Sequence, residues 1–297
     1  MIRWTGRGHA GRSNPYIKYN RVGGIAVKRS TLELLCCPSC RTELTLRDEP
    51  GNTSTNEGEL FCSHCGKSYI IKNGIARFID FRELEGLNQR FARFYNKWSR
   101  FGTVLDWLSF LPIGGERKAR TEILHRLELN NGRVLEVSIG SGGNLPYLFK
   151  SPEAGDIYGL DISVTQLANC RRLVTSQGWP VELFLGKAEE LPFRSDSFDS
   201  VFHIGGINFF SEKKKAIDEM IRVARPGSKI VIADESEQVA RTVARFLRLS
   251  RSSPDNKLDP SVPVHLVPET MKEVRVDGIW KMHGRYHGYC LEFRKPG

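Results

Sequence analysis

The stretch from Arg133 to Asn144 constrains this chain more than any other. Arg133-Val134-Leu135-Glu136-Val137-Ser138 is a mostly apolar run bounded by Asn130-Asn131-Gly132, the pattern of a buried strand. It runs into Ile139-Gly140-Ser141-Gly142-Gly143-Asn144, after which a helix is expected to open. Strand, glycine-rich turn and helix start are the first parts of a βαβ unit. The expected fold is therefore α/β with a doubly wound sheet. The next strand, Ile157-Tyr158-Gly159-Leu160-Asp161, ends in an acid 21 residues after Gly140. A carboxylate at that strand end is placed to accept hydrogen bonds from both hydroxyls of a ribose.

Two classes of nucleotide-like ligand then compete. A dinucleotide fingerprint wants a third glycine three residues after the second, where this chain has Leu145. Glu136-x-Ser138-x-Gly140-x-Gly142 instead resembles the E-x-G-x-G-x-G motif of class I S-adenosylmethionine-dependent methyltransferases, with Ser138 in place of the first glycine. Three later segments extend the resemblance. They are Gly186-Lys187-Ala188-Glu189-Glu190-Leu191-Pro192-Phe193, Ser197-Phe198-Asp199-Ser200-Val201-Phe202 and Ala224-Arg225-Pro226-Gly227-Ser228-Lys229-Ile230-Val231-Ile232. Phe94-Tyr95-Asn96 and Asn144-Leu145-Pro146 look most like the ubiquinone/menaquinone-type C-methyltransferase group.

The resemblance implies a Rossmann-like sheet of seven strands, mostly parallel, with the last strand antiparallel; Met271–Val276 and Tyr286–Phe293 are expected as the final two. It implies S-adenosylmethionine as cofactor, held by Glu136, Ser138, Gly140, Gly142, Asp161, Ile162, Lys187, Ala188 and His203. One position departs from the family. Lys187 stands where an acid usually binds the adenine amino group, and a lysine has only donors. The backbone at Lys187-Ala188, or Glu189, is then left to meet the ring edge. His203, at the end of the strand Asp199–Ile204, is expected to line the cleft, with a general-base role as the sharper alternative. Asn208 and Phe209-Phe210 follow it as candidate acceptor contacts; no catalytic residue is assigned.

Ahead of this domain the cysteines cluster. Cys37-Pro-Ser-Cys40 and Cys62-Ser-His-Cys65 are two knuckles, each aiming two sulfurs at one point, as a closed structural zinc site requires. Leu44-Thr45-Leu46 and Glu59-Leu60-Phe61 are expected as the strands flanking them. With Asn73-Gly74-Ile75-Ala76-Arg77-Phe78, the segment resembles the ribbon found as a small activator subunit of tRNA and protein methyltransferases and fused ahead of other class I enzymes. In such a module the ribbon is a substrate clamp, a docking surface or a folding staple.

The chain thus divides into a basic flexible tail (1–30), a zinc ribbon (31–80), a helical lid or linker (82–129) and the cofactor domain (130–297). Phe91, Phe94, Tyr95, Trp98 and Phe101 recur at helical spacing in the linker, and Ile123, Leu124, Leu127 and Leu129 mark a second amphipathic helix. The net charge of +10 is concentrated in residues 1–35, where seven basic residues face the single acid Glu33. That tail is a solvated extension, an RNA or anionic-lipid contact, a transit peptide, or a start mis-assigned ahead of Val27. Arg241, Arg245, Arg248 and Arg251 mark one face of a late helix.

No apolar run is long enough to span a membrane and no secretory leader is evident, so a cytoplasmic protein is expected. The leading reading is a methyltransferase acting on a small apolar or aromatic molecule. An rRNA or tRNA methyltransferase gripping RNA with ribbon and tail is the second, and a non-catalytic cofactor-binding adaptor the third. The oligomeric state is not legible.

Overall fold

The computed structural model describes residues 26–47, 54–80, 82, 84–90, 92–93, 115–246 and 261–297. Most of the basic tail, the aromatic positions Phe91, Phe94, Tyr95, Trp98 and Phe101, and Arg248 and Arg251 lie outside them. The strands are β1 (Val27–Lys28), β2 (Thr45–Arg47), β3 (Ser54–Thr55), β4 (Gly58–Phe61), β5 (Ser68–Lys72), β6 (Ile75–Arg77) and β7 (Arg133–Val137). They continue as β8 (Asp156–Asp161), β9 (Val181–Leu185), β10 (Phe198–Ile204), β11 (Ala224–Glu235), β12 (Lys272–Met282) and β13 (Arg285–Arg294).

Apart from the β1–β3 pair, every strand among the described residues belongs to one sheet of order β12-β13-β11-β10-β7-β8-β9-β6-β5-β4-β2. The stretch from β12 to β9 is the expected seven-stranded doubly wound sheet. Strands β7 to β11 run parallel, and β13 pairs antiparallel with β11. Strands β7 and β9 are buried almost throughout because helices cover both faces. Helix Val164–Gln177 follows β8, capped by the Ser163 side chain at its start and by Gly178 in the left-handed region at its end. Helix Lys213–Val223 follows β10.

The ribbon joins this sheet rather than standing beside it. Strand β6 pairs parallel with β9, Ile75 opposite Leu183 and Arg77 opposite Leu185, and Phe78 N–H donates to the Leu185 carbonyl at 2.8 Å. A second seam runs from Leu34 to Cys36: Cys36 N–H donates to Pro192 O at 3.0 Å, and Arg194 N–H to Leu34 O at 2.8 Å. The two parts share one apolar core in which Leu34, Leu35, Leu44 and Leu60 pack in the same cluster as Leu160, Phe184 and Phe193. Glu182 at the β9 edge is covered by the N-terminal segment, accepting from Lys28 N–H at 3.1 Å and the Thr31 hydroxyl at 2.7 Å.

Candidate active site and metal centre

Parallel strands place their carboxyl ends on one edge, and β10, β7, β8 and β9 are neighbours. All the sequence-predicted cofactor residues lie at or just beyond those ends. Ser138, Gly140 and Gly142 follow β7, Asp161 and Ile162 end β8, Lys187 and Ala188 follow β9, and His203 closes β10.

The turn after β7 is left-handed at alternate residues, with φ of 64° at Ser138, 57° at Gly140 and 85° at Gly142. Ser138 thus takes a left-handed backbone of the kind glycine favours, at a cost of roughly 1 kcal/mol for its Cβ. Asp161 pins the turn: its two oxygens accept from Gly140 N–H and Ser163 N–H, both at 2.8 Å. Burial pushes its carboxyl up to about 6.

Glu136 is the other buried acid. Asn144 Nδ2 donates to its Oε1 at 2.6 Å, while Oε2 is buried without a partner. Burial pushes Glu136 up to about 8, against the opposing effects of Asn144 and Arg120. Arg120, from helix Glu116–Leu124, donates to Asn144 Oδ1 at 2.8 Å and pairs with Glu116 at 2.7 Å. It lies so close over Gly143 that an added Cβ there would stand 2.6 Å from the guanidinium. Sequence reasoning missed Arg120 because its helix meets the glycine turn only in three dimensions.

Beyond the end of β9, Lys187 Nζ pairs with Glu190 at 3.1 Å. Glu189 does not offer its Oε1 to the adenine side: that atom accepts from Asn88 Nδ2 at 2.9 Å and Ser211 N–H at 3.1 Å. His203 is fully buried, with Nδ1 2.9 Å from the Val137 carbonyl. A carbonyl only accepts, so Nδ1 carries the proton. Nε2 is buried and unpaired. Burial lowers the ring's pKa, which keeps it neutral. The loop beyond is organised by buried Asp234, which accepts from Gly206 N–H at 2.9 Å and Asn208 N–H at 3.1 Å. Lys213 Nζ donates to Asn208 Oδ1 at 3.2 Å, and the Phe210 ring packs edge-on against His203 at 5.0 Å. An acid closing the β11 run is the signal that could have found Asp234.

In the ribbon, the sulfurs of Cys37, Cys40, Cys62 and Cys65 all lie within 4.8 Å of one another. A tetrahedral zinc site with Zn–S near 2.3 Å needs sulfurs about 3.8 Å apart. Cys37 and Cys65 stand at 3.6 Å, Cys40 and Cys62 at 3.4 Å, so the donor set fits zinc. The two knuckles are alike in backbone. Arg41 N–H donates to Cys37 O and Gly66 N–H to Cys62 O, with φ of 66° and 72°. Tyr69 OH lies 3.2 Å from Cys37 Sγ. Arg41 also reaches across the seam to the Leu191 carbonyl at 2.9 Å and to Glu219 at 2.8 Å. Arg222 meets the same two partners.

Two family models match the chain: a methyltransferase domain over residues 135–232 and a Trm112p-like protein over residues 28–74. A phosphatidylethanolamine N-methyltransferase of Cereibacter sphaeroides is 32% identical over 164 residues, which cover 52% of this chain and 76% of that protein. The ubiquinone/menaquinone biosynthesis C-methyltransferase of Geotalea daltonii is 31% identical over 144 residues, covering 46% and 61%. Other curated relatives are longer in proportion, and the chain spans only 44% of one of them. A solved complex between the Haloferax volcanii Trm112 methyltransferase activator and a putative methyltransferase shares the fold, at 15% identity and a TM-score of 0.54 over 68% of this chain and 98% of that one. Among the described residues no helix is long and apolar enough to cross a membrane. With a relative 32% identical over 76% of its own length and both family models matched, the chain belongs to the class I S-adenosylmethionine-dependent methyltransferases and carries a Trm112-like four-cysteine ribbon.

Proposed function

We propose that the chain transfers a methyl group from S-adenosylmethionine to a small apolar acceptor of lipid type. The observation that carries the cofactor half is the chain Glu136–Asn144–Arg120 beside the glycine turn. It sets a buried acid with one unpartnered oxygen and a guanidinium beside a turn whose next strand ends in Asp161. Beside a bound cation Glu136 would ionise, so this acid and guanidinium suit the amino and carboxylate groups of a methionine, and in this reading Asp161 accepts from the ribose hydroxyls. When bound, the cofactor supplies a methyl on a sulfonium, already activated by its charge. The protein then needs to align the acceptor and exclude water. Ile207 and the His203 ring, with Phe210 packed edge-on against it, stand at that strand end. For an acceptor that must lose a proton, His203 Nε2 is a neutral, unpaired nitrogen able to receive it.

The lipid reading rests on the relatives, whose names place a phospholipid and an isoprenoid quinone among their acceptors. A cytoplasmic location is also proposed, since a reducing compartment keeps four clustered thiols available to a metal. Incubation with labelled cofactor, a total lipid extract and total RNA tests the acceptor. Label in the lipid fraction is expected. Label in RNA alone would move the reading to nucleic acid, and tight cofactor binding with no transfer to either would leave a binding adaptor.

A further inference from the structure

Glu189 is buried in the helical turn Ala188–Glu190, directly after the residues proposed at the adenine edge. Its Oε1 gathers N–H donors from two other segments. Asn88 Nδ2 donates at 2.9 Å from the helical stretch 86–90, Ser211 N–H at 3.1 Å and Glu212 N–H at 3.4 Å. Asn88 completes a ring: its N–H donates to Ser211 Oγ at 3.2 Å, and its Oδ1 accepts from Ser211 N–H at 3.4 Å. Residues 211–212 close the loop whose opposite end Asp234 holds, and the loop's Phe210 packs on His203. Stretch 86–90 leads into the part of the sequence that carries the aromatic positions. One buried carboxylate therefore joins the cofactor turn, the helical linker and the acceptor-side loop.

We propose that Glu189 is a positioning residue, which sets the helical linker and the acceptor loop against the cofactor turn without touching cofactor or acceptor. The proposal rests on the methyltransferase reading of the same cleft. The geometry asks for a carboxylate here, because N–H donors converge on a single buried oxygen. Truncation would leave those donors unmatched in a dry site. The burden falls on alignment rather than affinity, since the cofactor contacts themselves are left in place.

The full chain with zinc bound is compared with Glu189→Ala, Glu189→Gln and the swap Glu189→Gln/Asn88→Asp, which returns an acid to the pair. Amide hydrogen exchange is followed with and without S-adenosylhomocysteine. Glu189→Ala is expected to speed exchange in both 84–93 and 205–212 by at least about tenfold. Strands β7 and β8 and the ribbon should stay unchanged, and the swap should restore most of the protection. The affinity for S-adenosylhomocysteine is expected to move by less than about threefold, while the turnover of phosphatidylethanolamine vesicles falls by about tenfold or more. Unchanged exchange in either segment, or loosening across the whole sheet, overturns the proposal. If the wild-type protein fails to bind S-adenosylhomocysteine, the methyltransferase reading fails, and the exchange pattern still decides the role of Glu189.

Discussion

At the scale of single residues, the site depends on two buried acids whose surroundings resist ionisation. Glu136 has an ordinary value of 4.5 and is pushed up to about 8 by burial, so the folded state holds its proton more tightly than the unfolded chain does. Its contribution to stability is complete below its unfolded value and is lost as pH rises toward the folded one. Between about pH 6.5, where Asp161 has largely ionised, and about pH 8, the unliganded protein is expected to lose on the order of 1 kcal/mol per pH unit through Glu136. Urea titrations at several pH values check this: Glu136→Gln should flatten the loss, and an equal slope in both proteins would refute it. Cofactor binding should run the other way, strengthening across the same range, because a cation favours the ionised acid. Asp161→Ala is expected to weaken cofactor binding at least about 100-fold by calorimetry, since hydrogen bonds to a charged group are worth about 1.5–3 kcal/mol each. Binding within a few-fold of wild type would remove Asp161 from the ribose position.

At the scale of elements, the knuckle and the turn solve the same problem with different residues. Gly66 meets the left-handed requirement after Cys65 without a side chain, whereas Arg41 meets it after Cys40 at a steric cost and spends its guanidinium on Leu191 O and Glu219. Substituting Arg41→Ala keeps the strain and loses the seam contacts, so a destabilisation of about 1–3 kcal/mol is expected. Arg41→Gly loses the same contacts but relieves the backbone, and should be less damaging by about 1 kcal/mol. Denaturant midpoints with zinc present measure both; equal losses would show that the backbone at 41 relaxes. Ser138 illustrates how little a motif letter matters when its conformation is kept. Its φ of 64° lies in the left-handed region that glycine favours.

At the scale of the whole molecule, the ribbon is part of the sheet, since β6 extends β9 and both contribute to one core. Zinc supplies folding free energy to small four-sulfur modules. Because ribbon and sheet share one core, that energy is expected to stabilise the sheet as well. Chelation of the metal, or Cys62→Ser with Cys65→Ser, is expected to lower a single cooperative melting transition by about 5–10 °C or more. Two separate transitions in calorimetry, with the upper one unmoved, would show that ribbon and sheet fold independently.

The sequence by itself determined the local units. A buried strand followed by glycines, an acid ending the next strand and paired cysteines two residues apart are patterns whose chemistry lies within a dozen neighbouring residues. The glycine turn, Asp161 and the four sulfurs were legible for that reason. The final two strands were also legible, although β12 extends to Met282, beyond the expected Val276. What only the tertiary structure decided was which distant residues meet. Arg120 reaches the glycine turn through Asn144, Asp234 organises a loop begun about 30 residues earlier, and Glu189 turns to Asn88 instead of the adenine side. The same holds for the pairing of β6 with β9. An edge strand offers the same backbone donors and acceptors whatever its sequence, so its partner is selected by packing and not by any local signal.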